Sequence, residues 1–162
     1  MSDAASETAK PSRQQILNIA EETRVAAVKA GKGYVWNGKS PEEGFDCSGF
    51  VRYVYHKAFG EGKPPLLSAA GMYDSPLFSA VETPEPGDLI FFANSGKIPT
   101  HVGIVIKYGE KWIGSQTSTG VAEVAWSNSY WKPRILGYRQ FKELVALKTS
   151  PLPFWSGLFR WV

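Results

Sequence analysis

The hydrophobic pattern of the chain changes its period near residue 88, and this change constrains the fold more than any other feature. Before it, apolar residues recur at helical spacing over about 13–30 and 48–59. After it, short β-rich runs alternate with turn residues, at 89–92, 102–107, 111–116, 121–124 and 136–141. Helices followed by a meander of strands predict an α+β fold, with N-terminal helices packed on a small antiparallel β-sheet.

Local signals place the ends of these elements. Ser12 and Gln15 match a capping box, so we expect the first helix to begin near Arg13. Gly60 ends the second helix, and one short helical turn is expected near 69–74. The residues Pro-Gly-Asp at 86–88 predict the turn into the first strand, and Tyr-Gly-Glu at 108–110 predicts a hairpin.

A length of 162 residues fits one domain. We expect a polar, disordered tail over 1–12, a single domain over 13–145 and an aromatic-rich C-terminal extension over 146–162. The extension either packs back on the domain or forms a patch for a partner or a membrane surface.

Composition excludes several classes of function. The net charge is +3 and the basic residues are dispersed, so no nucleic-acid footprint is visible. No apolar run approaches the ~20 residues of a membrane helix, so stable membrane insertion is not expected. Residues 1–12 lack the apolar core of a signal peptide, which predicts synthesis in the cytoplasm without a leader. One cysteine and two histidines argue against a disulfide, a metal site or any cofactor.

Cys47 is the candidate nucleophile. It lies where a loop gives way to the second helix, and free N–H groups and the helix dipole at such a position stabilise an anion. The thiolate is the reactive form of cysteine, so we expect a lowered pKa for this thiol. Gly49 permits close approach of other chain segments to the helix start.

Two histidines compete for the role of base. His56 lies nine residues after Cys47 on the same helix, on the opposite face and ~13 Å along the axis, so we interpret it as a surface or packing residue. His101 begins a strand that faces a helix start and can meet the thiol. A third group usually orients such an imidazole. Gln116 shares a strand face with Gly114 and is the candidate, with a backbone carbonyl as the alternative.

With these residues assembled, the sequence resembles the NlpC-type family of cell-wall endopeptidases, which are papain-like cysteine enzymes of compact α+β fold. The resemblance covers about residues 13–141. It rests on the segments GFDCSGFV at 44–51, PGDLIFF at 86–92 and HVGIVI at 101–106, with the aromatic segment GYVW upstream at 33–36.

The resemblance implies a hydrolase that cuts amide bonds in peptidoglycan stems or cross-links. Cys47 would attack the amide carbonyl, His101 would exchange the proton, and the Cys47 backbone N–H would hold the oxyanion. Tyr34 would lie beside Cys47, and Asp46 and Ser48 would line the substrate groove, with Asp46 suited to a free amine on the stem.

Two positions depart from the family pattern. A third catalytic residue, often histidine, aligns with Gly114 here, and Gln116 is its expected replacement. Where many relatives carry an arginine and a glutamine before the first strand of the sheet, this chain has Leu67 and Met72. We therefore expect a more apolar wall on that side of the pocket.

A bare catalytic domain without a leader also resembles amidase toxins that bacteria inject into rival cells. That resemblance implies delivery by a secretion system, action in the periplasm or cell wall, and an immunity protein that occludes the groove. The alternatives are a papain-like hydrolase or acyltransferase acting on another amide or ester, a catalytically impaired cell-wall binding module, and an interaction protein that uses the aromatic extension.

Overall fold

The computed structural model describes residues 11–144, which contain three α-helices, eight β-strands and one 3-10 helix. The helices are α1 (Arg13–Lys29), α2 (Cys47–Phe59) and α3 (Ala69–Asp74), and the 3-10 helix is Lys132–Arg134. The strands are β1 (Lys39–Ser40), β2 (Gly44–Phe45), β3 (Phe78–Val81), β4 (Leu89–Phe92), β5 (His101–Lys107), β6 (Lys111–Gln116), β7 (Gly120–Ala125) and β8 (Ile135–Phe141). The predicted tail up to residue 10 and the predicted extension from residue 146 lie outside the described residues.

Side-chain caps define where the two long helices begin. The predicted capping box is confirmed: Gln15 N donates to Ser12 Oγ over 3.1 Å, and Ser12 N donates to Gln15 Oε1 over 2.7 Å. Helix α2 begins one residue earlier than predicted, because Asp46 caps it by accepting a hydrogen bond from Gly49 N. Cys47 is therefore the first residue of α2.

The six longer strands form one antiparallel sheet in the order β3-β8-β4-β5-β6-β7. The predicted meander is confirmed from β4 to β7, and the α+β fold class is confirmed. The chain then departs from a simple meander, because β8 returns to pair with β4 on the far side. Strand β3 and the two-residue pair β1 and β2 were not predicted, since runs this short carry little periodicity.

The sheet is covered on both faces. Helices α1 and α2 bury residues such as Ile16 and Phe50 against the side chains of Phe91 and Ile104. The opposite face holds a second cluster under the segment 126–135, which packs Trp131 onto it. Its buried members are Ile90, Phe92, Val105, Trp112, Val124 and Trp126. Because both faces are covered, β4 is apolar and buried along its whole length.

A buried ion pair links the helical layer to the sheet. Arg13 Nη1, at the start of α1, donates to Asp88 Oδ1 over 2.9 Å and to the carbonyl of Pro86. The other carboxylate oxygen of Asp88 accepts hydrogen bonds from Glu85 N and from Gln140. Burial raises the pKa of Asp88, while these hydrogen bonds and Arg13 act in the opposite direction.

None of the helices within residues 11–144 combines the length and the apolar character needed to cross a membrane.

Candidate active site

Cys47 lies at the first position of α2, buried against the start of β5. Its side chain is 8% exposed and borders a groove of about 370 Å³. The backbone N–H groups of Val102, of Ser48 and of Cys47 itself lie close enough to the thiol to lower its pKa. Since Val102 follows His101, this contact brings the thiol to the strand that carries the histidine.

The expected lowering of the Cys47 pKa is wrong. Burial raises the pKa of this thiol to about 11, and the nearby Asp46 carboxylate acts in the same direction. The three backbone N–H groups lower the pKa, as a helix start should, but they do not offset the loss of solvation. In the protein without substrate, the Cys47 thiol is therefore protonated and neutral at pH 7.

His101 opens β5 within the second cluster and is 6% exposed. Its ring stacks on Trp131 with centroids 4.5 Å apart and planes 25° apart, and it also contacts Phe92 and Trp112. Burial in these aromatic surroundings lowers the pKa of His101 to about 4, against the opposing effect of the hydrogen bond that Gln116 accepts from the ring. The imidazole is neutral at pH 7 and can accept a proton.

A directed chain of hydrogen bonds holds His101. Its Nε2 lies 3.1 Å from Gln116 Oε1, and Gln116 Nε2 donates to Thr119 Oγ1 over 3.1 Å. Thr119 Oγ1 in turn donates to the carbonyl of Gly120. Because the hydroxyl proton of Thr119 is already directed to Gly120, Thr119 accepts from Gln116 and the amide oxygen faces His101. Nε2 then carries the proton, and Nδ1 is the basic nitrogen.

Gly114 makes room for this arrangement. A Cβ atom at position 114 would lie 2.7 Å from Gln116 Oε1, closer than non-bonded atoms approach. The predicted sharing of one strand face by Gly114 and Gln116 is confirmed. The orienting oxygen reaches the space above residue 114 from two positions further along the strand.

The remaining predicted substrate residues border the same groove. Tyr34, Asp46 and Ser48 all line it, together with Pro99 and Thr100 from the loop before β5. Tyr34 is placed there by a bridge between its backbone and that of Phe45. Partial burial raises the pKa of the Tyr34 phenol, with smaller contributions from Cys47 and Asp46.

Asp46 also has a structural role that was not predicted, because its carboxylate accepts two backbone N–H groups. One carboxylate oxygen accepts the Gly49 N–H over 2.7 Å, and the other accepts the Asn37 N–H over 3.0 Å. The carboxylate thereby ties the loop before β1 to the start of α2. Close packing at this point explains Gly49, since a Cβ there would lie 2.3 Å from the Gly38 carbonyl oxygen. Its expected binding of an amine stays a prediction.

The rival histidine is held away from the site. His56 Nε2 lies 2.8 Å from the carbonyl oxygen of Pro64, near the far end of α2 from Cys47. The interpretation of His56 as a packing residue is confirmed.

Two further expectations are corrected or extended. Leu67 lines the groove as expected, but Met72 is fully buried in the core on the helical side and does not line the groove.

Sequence reasoning missed Trp131 and the groove-lining Arg52. Arg52 follows Ser48 by four residues on one helix, so its position on the same face was available as a signal. Trp131 gave none, because its contact with His101 joins distant parts of the chain.

The model of the NlpC/P60 family matches residues 31–140. The chain belongs to the NlpC/P60 family. The match covers all the groove and histidine residues described above and includes every strand of the sheet except the last residue of β8.

Curated relatives align over most of this chain. It is 37% identical over 125 residues to a probable peptidoglycan endopeptidase, LytE, of Bacillus subtilis, covering 77% of this chain and 35% of LytE. It is 36% identical over 123 residues to a gamma-DL-glutamyl hydrolase of the same organism, covering 75% of this chain and 29% of that protein. It is 33% identical over 129 residues to the murein DD-endopeptidase MepH of Escherichia coli, covering 75% of this chain and 47% of MepH. The chain thus spans less than half the length of each.

Solved NlpC/P60 structures share the fold. A Staphylococcus aureus protein of the family superposes with a TM-score of 0.58 at 30% identity, covering 76% of this chain and 41% of that one. The NlpC/p60 domain of the peptidoglycan hydrolase SagA superposes with a TM-score of 0.52 at 29% identity, covering 74% of this chain and 96% of that domain.

Proposed function

We propose that this protein is a cysteine endopeptidase that hydrolyses amide bonds in the peptide stems or cross-links of peptidoglycan. The observation that carries the proposal is the buried His101, oriented by Gln116 on the strand whose backbone contacts the Cys47 thiol. Membership of the NlpC/P60 family supports it.

The reaction starts from the neutral pair. As the Cys47 sulfur attacks the carbonyl carbon of the amide, its proton passes to Nδ1 of His101. The protonated imidazole then gives this proton to the amide nitrogen, the C–N bond breaks, and an amine leaves. The acyl group remains on Cys47 as a thioester. Water attacks it with His101 again as base, which releases a carboxylic acid and restores the thiol.

Charge develops on the carbonyl oxygen in both steps. The N–H groups of Cys47 and Ser48 at the start of α2 stabilise negative charge on the Cys47 sulfur, which suits them to hold an oxyanion formed beside it. Tyr34, with its phenol protonated at neutral pH, borders the same groove and can donate to that oxygen or to the substrate.

Gln116 serves as the orienting group in this scheme. It fixes the plane of the ring and the proton on Nε2, so that Nδ1 is always ready to accept the thiol proton. Gly114 has no side chain to do so, and a backbone carbonyl is not needed. Ser48 and Asp46 border the groove and would contact the bound peptide.

The substrate class follows from the relatives. Their names describe a peptidoglycan endopeptidase, a gamma-DL-glutamyl hydrolase and a murein DD-endopeptidase. By this similarity we propose peptidoglycan peptide as substrate and the cell wall or periplasm as the place of action. An amide formed through the γ-carboxyl of glutamate leaves the α-carboxylate of that residue free.

Digestion of purified sacculi tests the proposal and identifies the bond by the masses of the fragments. We expect the wild-type protein to release peptide fragments and Cys47→Ala to release none. His101→Ala and His56→Ala form a matched pair: the first should lose activity, whereas the second should retain it, because His56 contacts Pro64 and Glu61, away from Cys47.

Other outcomes separate the alternatives. Equal release of fragments by Cys47→Ala would show that the proposed mechanism is wrong. Turnover of other amides or esters, with intact sacculi, would favour the broader papain-like hydrolase or acyltransferase. Equal binding of sacculi by wild type and Cys47→Ala, without turnover, would favour a binding module.

A role as an injected antibacterial effector, neutralised by an immunity protein, stays a prediction. Expression of the chain behind an added export signal tests it: wild type should lyse the host and Cys47→Ala should not. Growth without lysis would contradict the effector role. The proposed hydrolase activity is tested separately, by the digestion of sacculi.

A further inference from the structure

Arg52 borders the groove on the same helix as the candidate nucleophile. It lies four residues after Ser48, so the two side chains share one face of α2, and both line the groove. Helical side chains tilt toward the helix N-terminus, which here is the end that carries Cys47. Five residues separate Arg52 from Cys47, about 7.5 Å along the helix axis. The guanidinium can therefore reach a group next to the reacting amide.

The Arg52 guanidinium has no hydrogen-bond or ion-pair partner among residues 11–144, and its Nε is shielded from solvent. Other arginines of the described chain donate to an oxygen of the protein, as do Arg13, Arg24, Arg134 and Arg139. A shielded N–H that lacks an acceptor costs free energy, and an anion that meets the partly exposed Arg52 side chain relieves this cost. Arg52 is thus built to receive an acceptor from outside the described chain.

The acidic residue of the groove, Asp46, forms no ion pair with Arg52. Both carboxylate oxygens of Asp46 accept backbone N–H groups, those of Gly49 and Asn37. Lys39 adds a second cation to the groove lining. The groove lining thus carries two cations and one carboxylate, which favours an anionic ligand beside Arg52. A carboxylate matches the planar fork of a guanidinium with two parallel hydrogen bonds.

We propose that Arg52 forms a subsite for a free carboxylate of the bound peptide, on the residue that adjoins the cleaved amide. This inference rests on the proposed function and deepens it. For an amide made through the γ-carboxyl of glutamate, the ligand is the free α-carboxylate of that glutamate. Arg52 then decides which peptides are cut, without taking part in proton transfer.

Two synthetic peptides that differ in this one group test the subsite. Both carry a γ-linked glutamate, with a free α-carboxylate in one and an α-amide in the other. We expect wild-type protein to cut the carboxylate peptide with a kcat/KM about 10–100-fold higher, the range of a charge-assisted hydrogen-bonded pair. Arg52→Gln should lose most of this preference, chiefly through the carboxylate peptide.

A matched variant controls for net charge. Lys57→Gln removes one positive charge from the same helix but outside the groove, where Lys57 lies 5.5 Å from the centre of the Tyr53 ring. It should keep the wild-type preference. Equal cleavage of the two peptides by wild-type protein, or an unchanged preference in Arg52→Gln, would overturn the subsite.

A binding measurement separates this inference from the proposed function. If wild-type protein cuts neither peptide, the proposed activity toward them fails, and calorimetry on Cys47→Ala still decides the subsite. Tighter binding of the carboxylate peptide than of the amide peptide by Cys47→Ala supports the subsite if the double variant Cys47→Ala, Arg52→Gln loses this difference. Equal or absent binding of both peptides overturns it.

Discussion

Cys47 and His101 are both neutral in the free protein at pH 7. Burial raises the pKa of the thiol to about 11 and lowers the pKa of the imidazole to about 4. A charged pair in the resting state would need solvent or substrate to stabilise it. In the proposed mechanism, activation of the sulfur would therefore occur during attack, when the proton moves to His101 and the oxyanion forms at the helix start.

The alkylation rate of Cys47 by iodoacetamide reports its protonation directly, because the chain has one cysteine. Only the thiolate reacts, so the rate should rise about tenfold per pH unit from pH 7 to pH 10 in the folded protein. The urea-unfolded chain should level off above pH ~8.5, the ordinary pKa of a thiol. Adduct formation is followed by mass.

The shape of this profile separates protonation from access. Burial of the thiol slows alkylation at every pH, but it does not move the pH at which the rate levels off. A folded protein whose rate is already constant between pH 6 and pH 8 would contradict the neutral pair.

At the scale of residues, the sequence indicated the candidate site residues, whose roles stay predictions, but not their resting charge. Cys47, His101 and Gln116 were found from one helix start, one strand start and strand alternation, and His56 was excluded by helix geometry. The pKa of Cys47 was predicted in the wrong direction because its largest cause is burial under β5 and its flanking loop. Desolvation depends on contacts between distant segments, which the local pattern does not contain.

Among the elements, β6 controls the site most directly. Gly114 and Gln116 lie on one face of this strand, and the amide oxygen of Gln116 occupies the space beside Gly114. The amide of Gln116 can therefore reach His101 only because Gly114 has no side chain.

Gly114→Ala should lower kcat by about tenfold, the value of one ordinary hydrogen bond, because the new methyl group displaces the Gln116 amide from His101. The unfolding temperature should fall only modestly, since the atom that must move furthest is the end of the Gln116 side chain, while the buried Trp112 ring, 3.1 Å from the new Cβ, must give by a few tenths of an ångström. Peptide hydrolysis and thermal unfolding are measured on the same samples.

The double variant provides the control. Gly114→Ala placed on a Gln116→Ala background should cost no further activity, since the displaced atom is already gone. Additive losses would show that Gly114 acts through something other than Gln116.

Element boundaries were predictable where local chemistry sets them. The capping box at Ser12, the glycine after α2 and the strand periodicity after residue 88 all gave positions close to those observed. The segment 126–134 was not predictable, because its order comes from Trp131 packing on the second cluster and from Asn128, whose side chain accepts two backbone N–H groups. It nevertheless supplies the ring that covers His101.

For the whole molecule, the link between Arg13 and Asp88 joins the first helix to the sheet. Asp88 is fully buried and Arg13 is nearly so, with 17% of its side chain exposed. The pair also tethers the turn that leads into β4, the strand next to β5. Loss of one partner leaves a buried group uncompensated.

Arg13→Ala should lower the free energy of unfolding by about 3 kcal/mol, as for a broken buried ion pair. The Arg24→Ala variant is the matched control on the same helix, and its exposed pair with Glu21 should contribute about 0.5 kcal/mol or less. Urea unfolding at pH 7 measures both.

The Asp88→Asn variant tests whether the lost stability of Arg13→Ala comes from the ion pair. The double variant should lose less free energy of unfolding than the sum of the two single variants, because a buried neutral amide is less costly without Arg13 than a buried carboxylate is. Simple additivity would contradict an ion-pair role for Arg13.

The fold class was predictable from the whole sequence, whereas the strand order was not. The periodic patterns indicate helices first and strands later, and the turn at 108–110 fixes one hairpin. The return of β8 to pair with β4 joins residues about 46 apart, as in the pairing of Leu89 with Arg139 and of Phe92 with Ile135. Such pairings depend on packing against both neighbours and leave no local mark.

The shared space beside Gly114 also constrains how this site can change over generations. A bulky residue gained at position 114 while Gln116 persists puts two groups into one volume, and loss of Gln116 first leaves the imidazole unheld. A lineage that moves the orienting group between the two positions must pass through an impaired ancestor or alter both codons together. The residue types at positions 114 and 116 are therefore expected to change together across descendants of this chain, with a small residue at one position wherever the other carries the orienting side chain.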